Sequence, residues 1–254
     1  DAGYKVPTRV WQYITARVRQ EFPDTVFLLE GLGGSWEATD SLLGDGGMQW
    51  AYSELFQNFD GLTLSGYLDH ASRVATSSGT LIHYSETHDN ARLAARPLPG
   101  HPGGSAARPD LPPAVNSGWS RHRNRLCALT SINGGFAFTS GVEWLATEQI
   151  NVHSSRGLAW GSEPNLVAEL ARLNRLLAEH PCFFDGAKLT RLSPDGASIY
   201  ALHRQSADGL DEVLVLANPD PAHPHSLRLD SAVWARVCSP GHDLLEPGTG
   251  PLKL

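Results

Sequence analysis

The chain has 254 residues, 41% hydrophobic and 19% charged, enough for one large globular domain or a large piece plus a small one. Its net charge is −7 and it has no Lys/Arg-rich run, which argues against a nucleic-acid partner. No apolar stretch approaches the roughly 18–20 residues that cross a membrane.

After Pro7, the segment from Thr8 to Phe22 predicts a helix, with Val10, Ile14 and Val18 recurring every four residues. Arg9, Arg17, Arg19 and Glu21 are left for its other face. Pro23-Asp24 stops it, and Val26-Phe27-Leu28-Leu29 is a continuous apolar run of the kind that forms a strand buried on both faces. The run ends at Glu30 and a flexible Gly31-Leu32-Gly33-Gly34 loop. Gln49 to Tyr52 predicts a second strand, Leu62 to Ser77 a helix, and Thr80 to Tyr84 a third strand.

That third strand runs into Ser85-Glu86-Thr87-His88-Asp89-Asn90-Ala91-Arg92, where carboxylate, imidazole, amide and guanidinium groups crowd together. The Pro/Gly-rich stretch from Pro97 to Ser117 is too long for a simple connector and reads as a site-covering loop. Trp119 to Ile132 predicts a helix, and Phe136 to Thr139 a fourth strand that ends at Gly141-Val142-Glu143-Trp144. Ser162-Glu163-Pro164 opens a helix striped by Leu166, Leu170, Leu173 and Leu177. Beyond Phe184 the texture changes: Ser198 to His203 and Glu212 to Leu216 are strand-like and separated by Asp/Gly/Pro turns. The expected organisation is an α/β piece over 1–185 followed by a small antiparallel β domain over 186–254. Cys127, Cys182 and Cys238 lack metal-type spacing and read as buried thiols, which sets the expectation of a reducing, cytoplasmic compartment.

In a parallel β/α barrel the chemistry sits on loops after the C-terminal ends of strands. Glu30 and Asp89 both occupy that position, and Asp1 would share it if a strand preceded it. Carboxylates delivered onto one rim suit glycosidic-bond chemistry. One attacks the anomeric carbon and a second, protonated and about 5–5.5 Å away in retaining enzymes, protonates the leaving oxygen. A third stabilises the oxocarbenium-like charge.

These segments resemble three ordered blocks of glycoside hydrolase family 13, the α-amylase superfamily of (β/α)8 barrels. Asp1-Ala2-Gly3-Tyr4-Lys5 resembles the block after barrel strand four, Phe27-Leu28-Leu29-Glu30-Gly31 that of strand five, and Ser85 to Asn90 that of strand seven. Gly141-Val142-Glu143 resembles the Gly-x-Glu after strand eight. The resemblance implies the C-terminal portion of a TIM barrel, about strands 4–8. It implies Asp1 as nucleophile, Glu30 as general acid/base and Asp89 as transition-state stabiliser. His88, Lys5, Arg92 and Glu143 are then the candidate substrate contacts. The order and spacing are similar to members related to the maltosyltransferases that use maltose 1-phosphate. Thr87 stands where the family usually has Asn, and the common Lys-His pair after the nucleophile is absent.

The implied activity is that of a retaining α-glucan-active hydrolase or transglycosylase, with an α-glucan, maltooligosaccharide or sugar phosphate as substrate. No cofactor or metal is expected, since no Asp/Asn-rich calcium loop is present. Two alternatives stay open: a non-catalytic carbohydrate-binding or scaffold protein that kept the barrel motifs, and an inactive truncated fragment. The chain opens at Asp1 rather than Met, and a half-open barrel with unpaired strand edges is expected to be poorly soluble.

Overall fold

The computed structural model describes residues 2–59, 61–96, 117–151, 153, 158–220, 223–238 and 241–246. Asp1 and positions 97–116 of the expected site-covering loop lie outside these residues. Helix α1 spans Thr8–Glu21. Its inner face is set by Thr15, 2% exposed, whose hydroxyl donates to Gly46 O (2.9 Å), while Val10 of the expected stripe is 43% exposed. The buried hydroxyl is compensated by that tertiary hydrogen bond, which periodicity in hydrophobicity alone does not register.

Strand β1 (Leu28–Leu29) is shorter than the apolar run around it. Leu29 is buried but Val26 and Leu28 are 58% and 47% exposed, so the expected burial on both faces is not observed. Among the described strands β1 is at an edge, and one of its faces is uncovered. Helix α2 (Trp36–Gly44) follows, capped by Ser35, whose hydroxyl accepts from the Ala38 N–H. Strand β2 (Trp50–Tyr52), helix α3 (Gly61–Ser77) and strand β3 (Thr80–Ile82) come next. The three strands pair in parallel in the order β1-β2-β3, with Leu29, Ala51 and Leu81 in one register row. Parallel pairing through helical crossovers brings every C-terminal strand end to the same rim.

The fourth strand expected at Phe136 to Thr139 is reduced to one parallel bridge between His83 and Phe136. Gly135 O accepts from His83 N (2.7 Å) and Ala137 N donates to His83 O (2.9 Å), after which the chain turns away. Helices α4 (Ser117–Thr130) and α5 (Val167–Glu179) pack together. The latter starts later than the Ser162 signal, because Asn165 rather than Ser162 accepts from the first helical N–H, that of Val167. Leu166, Leu170 and Leu173 are buried as the leucine stripe predicts.

Strands β4 (Lys188–Arg191), β5 (Tyr200–Gln205) and β6 (Glu212–Ala217) form an antiparallel sheet in sequential order. A helix, α6 (Ser231–Cys238), follows it. Tyr200, Leu202 and Val215 belong to the same hydrophobic cluster as Leu29, Ala51, Leu64 and Leu81, so the two sheets share one core. Cys127 and Cys182 are buried free thiols. No helix among the described residues is long and apolar enough to cross a membrane.

Candidate active site

The rim begins with Glu30, the first residue after β1. The chain from Ala2 to Lys5 is tucked against it as a 3₁₀ turn. Ala2 N donates to Glu30 Oε2 at 3.2 Å, Gly3 N donates to Glu30 O at 3.1 Å, and Trp11 Nε1 secures the turn by donating to Gly3 O at 2.9 Å. Gly3 packs closely on Leu29: a Cβ there would lie 2.3 Å from Leu29 Cδ1, so the leucine side chain would have to shift. Two strands away, the chain leaving β3 stays buried through Ser85, Glu86 and Thr87, then surfaces at His88 and Asp89. Thr87 Oγ1 accepts from Asp89 N (3.0 Å) and donates to Asn90 Oδ1 (2.6 Å), which folds a tight turn and aims both reactive side chains outward. Gln149 Nε2, from the loop beyond the fourth rim position, pins Asp89 O at 2.6 Å.

The outcome is convergence. One ligand-type atom from each of Glu30, His88 and Asp89 lies within 4.8 Å of the other two, and His88 Nε2 stands 3.4 Å from Asp89 Oδ1. Glu30 and His88 are half-buried and Asp89 is exposed. This set of two carboxylates and an imidazole has the donor chemistry of a divalent-cation site, and equally that of a site handling protons and developing positive charge. Behind it, Tyr84 packs between Tyr52 (5.3 Å between ring centroids, edge-on) and Phe56 (5.5 Å, stacked). Burial pushes the Tyr84 hydroxyl far above its ordinary range, with neighbouring charges including Glu30 adding to the rise. The phenol is therefore a neutral wall of the site.

The other sequence-predicted residues are placed differently. Arg92, expected to contact substrate, has no exposed side-chain surface; its Nε lies 2.7 Å from Glu86 Oε1, and its Nη2 donates to Ser140 O at 3.0 Å. Glu86 Oε2 accepts from Leu93 N at 2.6 Å. The pair clamps both ends of the turn that carries His88 and Asp89, and it lies under the surface because a buried guanidinium needs a counter-charge. Glu143 closes its own turn by accepting from Gly141 N at 2.8 Å, and Gly141 (φ 91°) packs on Arg92 Nη2. Lys5 is exposed, its ammonium 5.1 Å from the Tyr4 ring centroid. Asp1 lies outside the described residues.

The fold is similar to that of several solved structures. Trehalulose synthase MutB from Pseudomonas mesoacidophila MX-45 matches with a TM-score of 0.57 and 15% identity, over 83% of this chain and 50% of that one. An isomaltulose synthase mutant from Erwinia rhapontici NX5, solved with its natural substrate sucrose, matches with a TM-score of 0.55 and 13% identity, over 83% and 50%. An α-amylase from Lactobacillus plantarum gives 0.54 and 17%, over 82% and 49%. All three are α-amylase-family proteins. The fold is that of a (β/α)8 barrel, in part, with an antiparallel sheet after it. The chain spans about half the length of these structures. No protein-family model matches the chain, and no curated protein matches its sequence.

Sequence reasoning missed several supports of this site. Ser85 Oγ donates to Asn124 Oδ1 (3.2 Å) on a residue of α4 that is wholly buried. His83, wholly buried beneath the rim, has Nδ1 2.8 Å from Ser53 Oγ, and Ser53 in turn contacts the Tyr67 hydroxyl at 3.1 Å. These partners are 39, 30 and 14 residues apart along the chain, and the only local signal was a polar residue among apolar ones.

Proposed function

We propose that this chain carries the acid/base and charge-stabilising side chains of a retaining enzyme acting on α-glucosidic linkages. The observation that supports it is the convergence of Glu30 with His88 and Asp89 from two different strand ends, on a fold shared with α-amylase-family proteins. Asp1 is assigned as the nucleophile from its sequence block. Its carboxylate bonds to the anomeric carbon as the glycosidic C–O bond breaks, and Glu30 gives its proton to the leaving oxygen. Asp89 stabilises the positive charge that builds on the ring, and His88 holds a sugar hydroxyl beside it. In the second step the Glu30 carboxylate takes a proton from the acceptor, whose oxygen bonds to the anomeric carbon as the Asp1 carboxylate departs. Water as acceptor makes a hydrolase, and a sugar hydroxyl a transglycosylase. The segment over 1–185 is assigned to the catalytic barrel and that over 186–254 to a C-terminal β domain.

The test is turnover by the full-length protein on maltodextrin, on sucrose, and on maltose 1-phosphate with an acceptor. Glu30→Gln is expected to lower kcat by roughly 10²–10⁴-fold. Asp89→Asn is expected to lower it by about 10²–10³-fold. Azide supplied to Glu30→Gln should yield a glycosyl azide of retained configuration. No product from any substrate, or full activity in both variants, refutes the reading and leaves a carbohydrate-binding role.

A further inference from the structure

Next to the segment that carries the His88–Asp89 turn lies a cavity of about 400 Å³, within the range of about 300–1,000 Å³ common for small-molecule sites. Its lining includes Ser85, Glu86 and Asn90 from the segment that carries the turn, together with Phe59, Arg96 and Arg123. Its charge is unbalanced. The Glu86 carboxylate is hydrogen-bonded or paired on both oxygens, to Arg92 and to the Leu93 N–H, and its charge also acts on Arg96 and Arg123, so one carboxylate faces three guanidiniums. Arg123 reaches in from α4 over the Phe59 ring, with its guanidinium carbon 3.8 Å from the ring centroid, and is flanked by Trp119 at 5.0 Å. Its Nη1 donates to Phe56 O at 3.4 Å, but its Nε is buried without a hydrogen-bond partner among the described residues. A buried, unsatisfied guanidinium N–H is costly, and native structures tolerate one where a ligand completes it. Burial pushes Arg123 down to about 10, and the like charge of Arg96 adds to the drop. Two guanidiniums that repel each other in a cavity lose that penalty when an anion sits between them.

We propose that this cavity is an anion subsite that takes a phosphate group between Arg96 and Arg123, with the Asn90 amide N–H supplying a neutral hydrogen bond. It shares the Ser85–Asn90 segment with the rim cluster but none of the three converging side chains. A phosphate carried on a sugar would thus lie beside the cleft, and a free phosphate would bear on the turn through Asn90. The geometry favours a compact tetrahedral anion over a nucleic-acid strand, because the chain's net charge is −7 and it has no Lys/Arg-rich run.

The experiment is a calorimetric titration of the full-length protein with inorganic phosphate, glucose 1-phosphate and glucose, at constant ionic strength so that general screening does not change. Saturable binding of phosphate is expected, weakened roughly tenfold or more, about 1.4 kcal/mol, in Arg123→Met and in Arg96→Gln. Arg96 is exposed, so its variant tests the site without endangering the fold. Tighter binding of glucose 1-phosphate than of phosphate and glucose, sensitive to both variants, identifies a sugar-borne phosphate. Equal binding of phosphate and glucose 1-phosphate identifies the free ion. No saturable phosphate binding by the wild-type protein, or binding unchanged in both variants, overturns the proposal. The readout is binding without turnover, so it succeeds or fails independently of glycosidase activity.

Discussion

Glu86 and His83 stand within three residues of each other, yet each answers burial differently. Glu86 is paired with Arg92, both side chains being almost wholly buried: desolvation raises its carboxyl above the ordinary range, and the guanidinium charge and the Leu93 N–H act against that rise. Removing one partner strands the other, at a cost of about 3–5 kcal/mol for such pairs. Arg92→Met should therefore lower unfolding stability by that amount in a denaturant titration. The double variant with Glu86→Gln should recover part of the loss, because no charge is then left unpaired. His83 answers burial by staying neutral: desolvation, aided by the positive charge of Arg204, pushes its imidazole down to about 3. The unfolded chain protonates near its ordinary value of about 6.5, so protons favour the unfolded state below that pH. The contribution of His83 is complete above pH ~6.5 and is lost as pH falls towards ~3, at up to about 1.4 kcal/mol per pH unit. Stability measured between pH 6.5 and 4.5 should fall less steeply in His83→Gln. An unchanged slope would mean that His83 is protonated in the folded state.

At the scale of elements, Arg204 of β5 fastens the antiparallel sheet to the C-terminal end of α4. Its guanidinium is 1% exposed and bonds three backbone carbonyls: Cys182 O through Nε (2.9 Å), and Leu129 O (3.0 Å) and Ser131 O (2.9 Å) through Nη1. It also stacks on Phe183, 4.2 Å from the ring centroid. One planar fork thus satisfies the carbonyls at the C-terminal end of α4, which the helix leaves without intrahelical donors. Arg204→Met leaves them unpaired, at about 1–3 kcal/mol for each group that water cannot reach. Arg204→Lys should be nearly as damaging, because a single ammonium cannot span all three acceptors. A thermal melt of both variants checks this, and recovery by lysine would show that charge alone matters. The same scale explains the elements that the sequence concealed. Helix α2 has few residues of clear periodicity and is set by the Ser35 cap. Strand β4 alternates Lys188, Leu189, Thr190 and Arg191, too short to stand out before its partner β5 is known.

Across the whole molecule, the antiparallel sheet is bound to the barrel segment by a shared core and by the Arg191–Asp69 pair, whose two hydrogen bonds measure 3.1 and 2.9 Å. Leu202, 3% exposed, lies in that core. Leu202→Ala should cost about 2–5 kcal/mol. It should also weaken amide protection in α3 as well as in β5 when followed by hydrogen exchange. Loosening confined to β4–β6 would mean that the two sheets are independent in stability. Much of the chain order was legible in sequence, because α1, α3, α4 and α5 carry periodic apolar residues and the runs at Ala51 and Leu81 mark buried strands. Glu30, His88 and Asp89 were legible as strand-end polar residues, since an ionisable group after an apolar run has few inexpensive structural explanations. Their approach to within 4.8 Å was decided by parallel register, which aligns Leu29 with Ala51 and Leu81 and so fixes which strand ends meet. Likewise, Arg92 carries the same charge on the page wherever it points. Only the packed structure, by surrounding it and supplying Glu86 as the sole described counter-charge within contact, made it a support of the site. Local chemistry was thus determined by residue type and spacing. Which groups face one another depended on contacts between residues far apart in the chain, whose energies no local stretch contains.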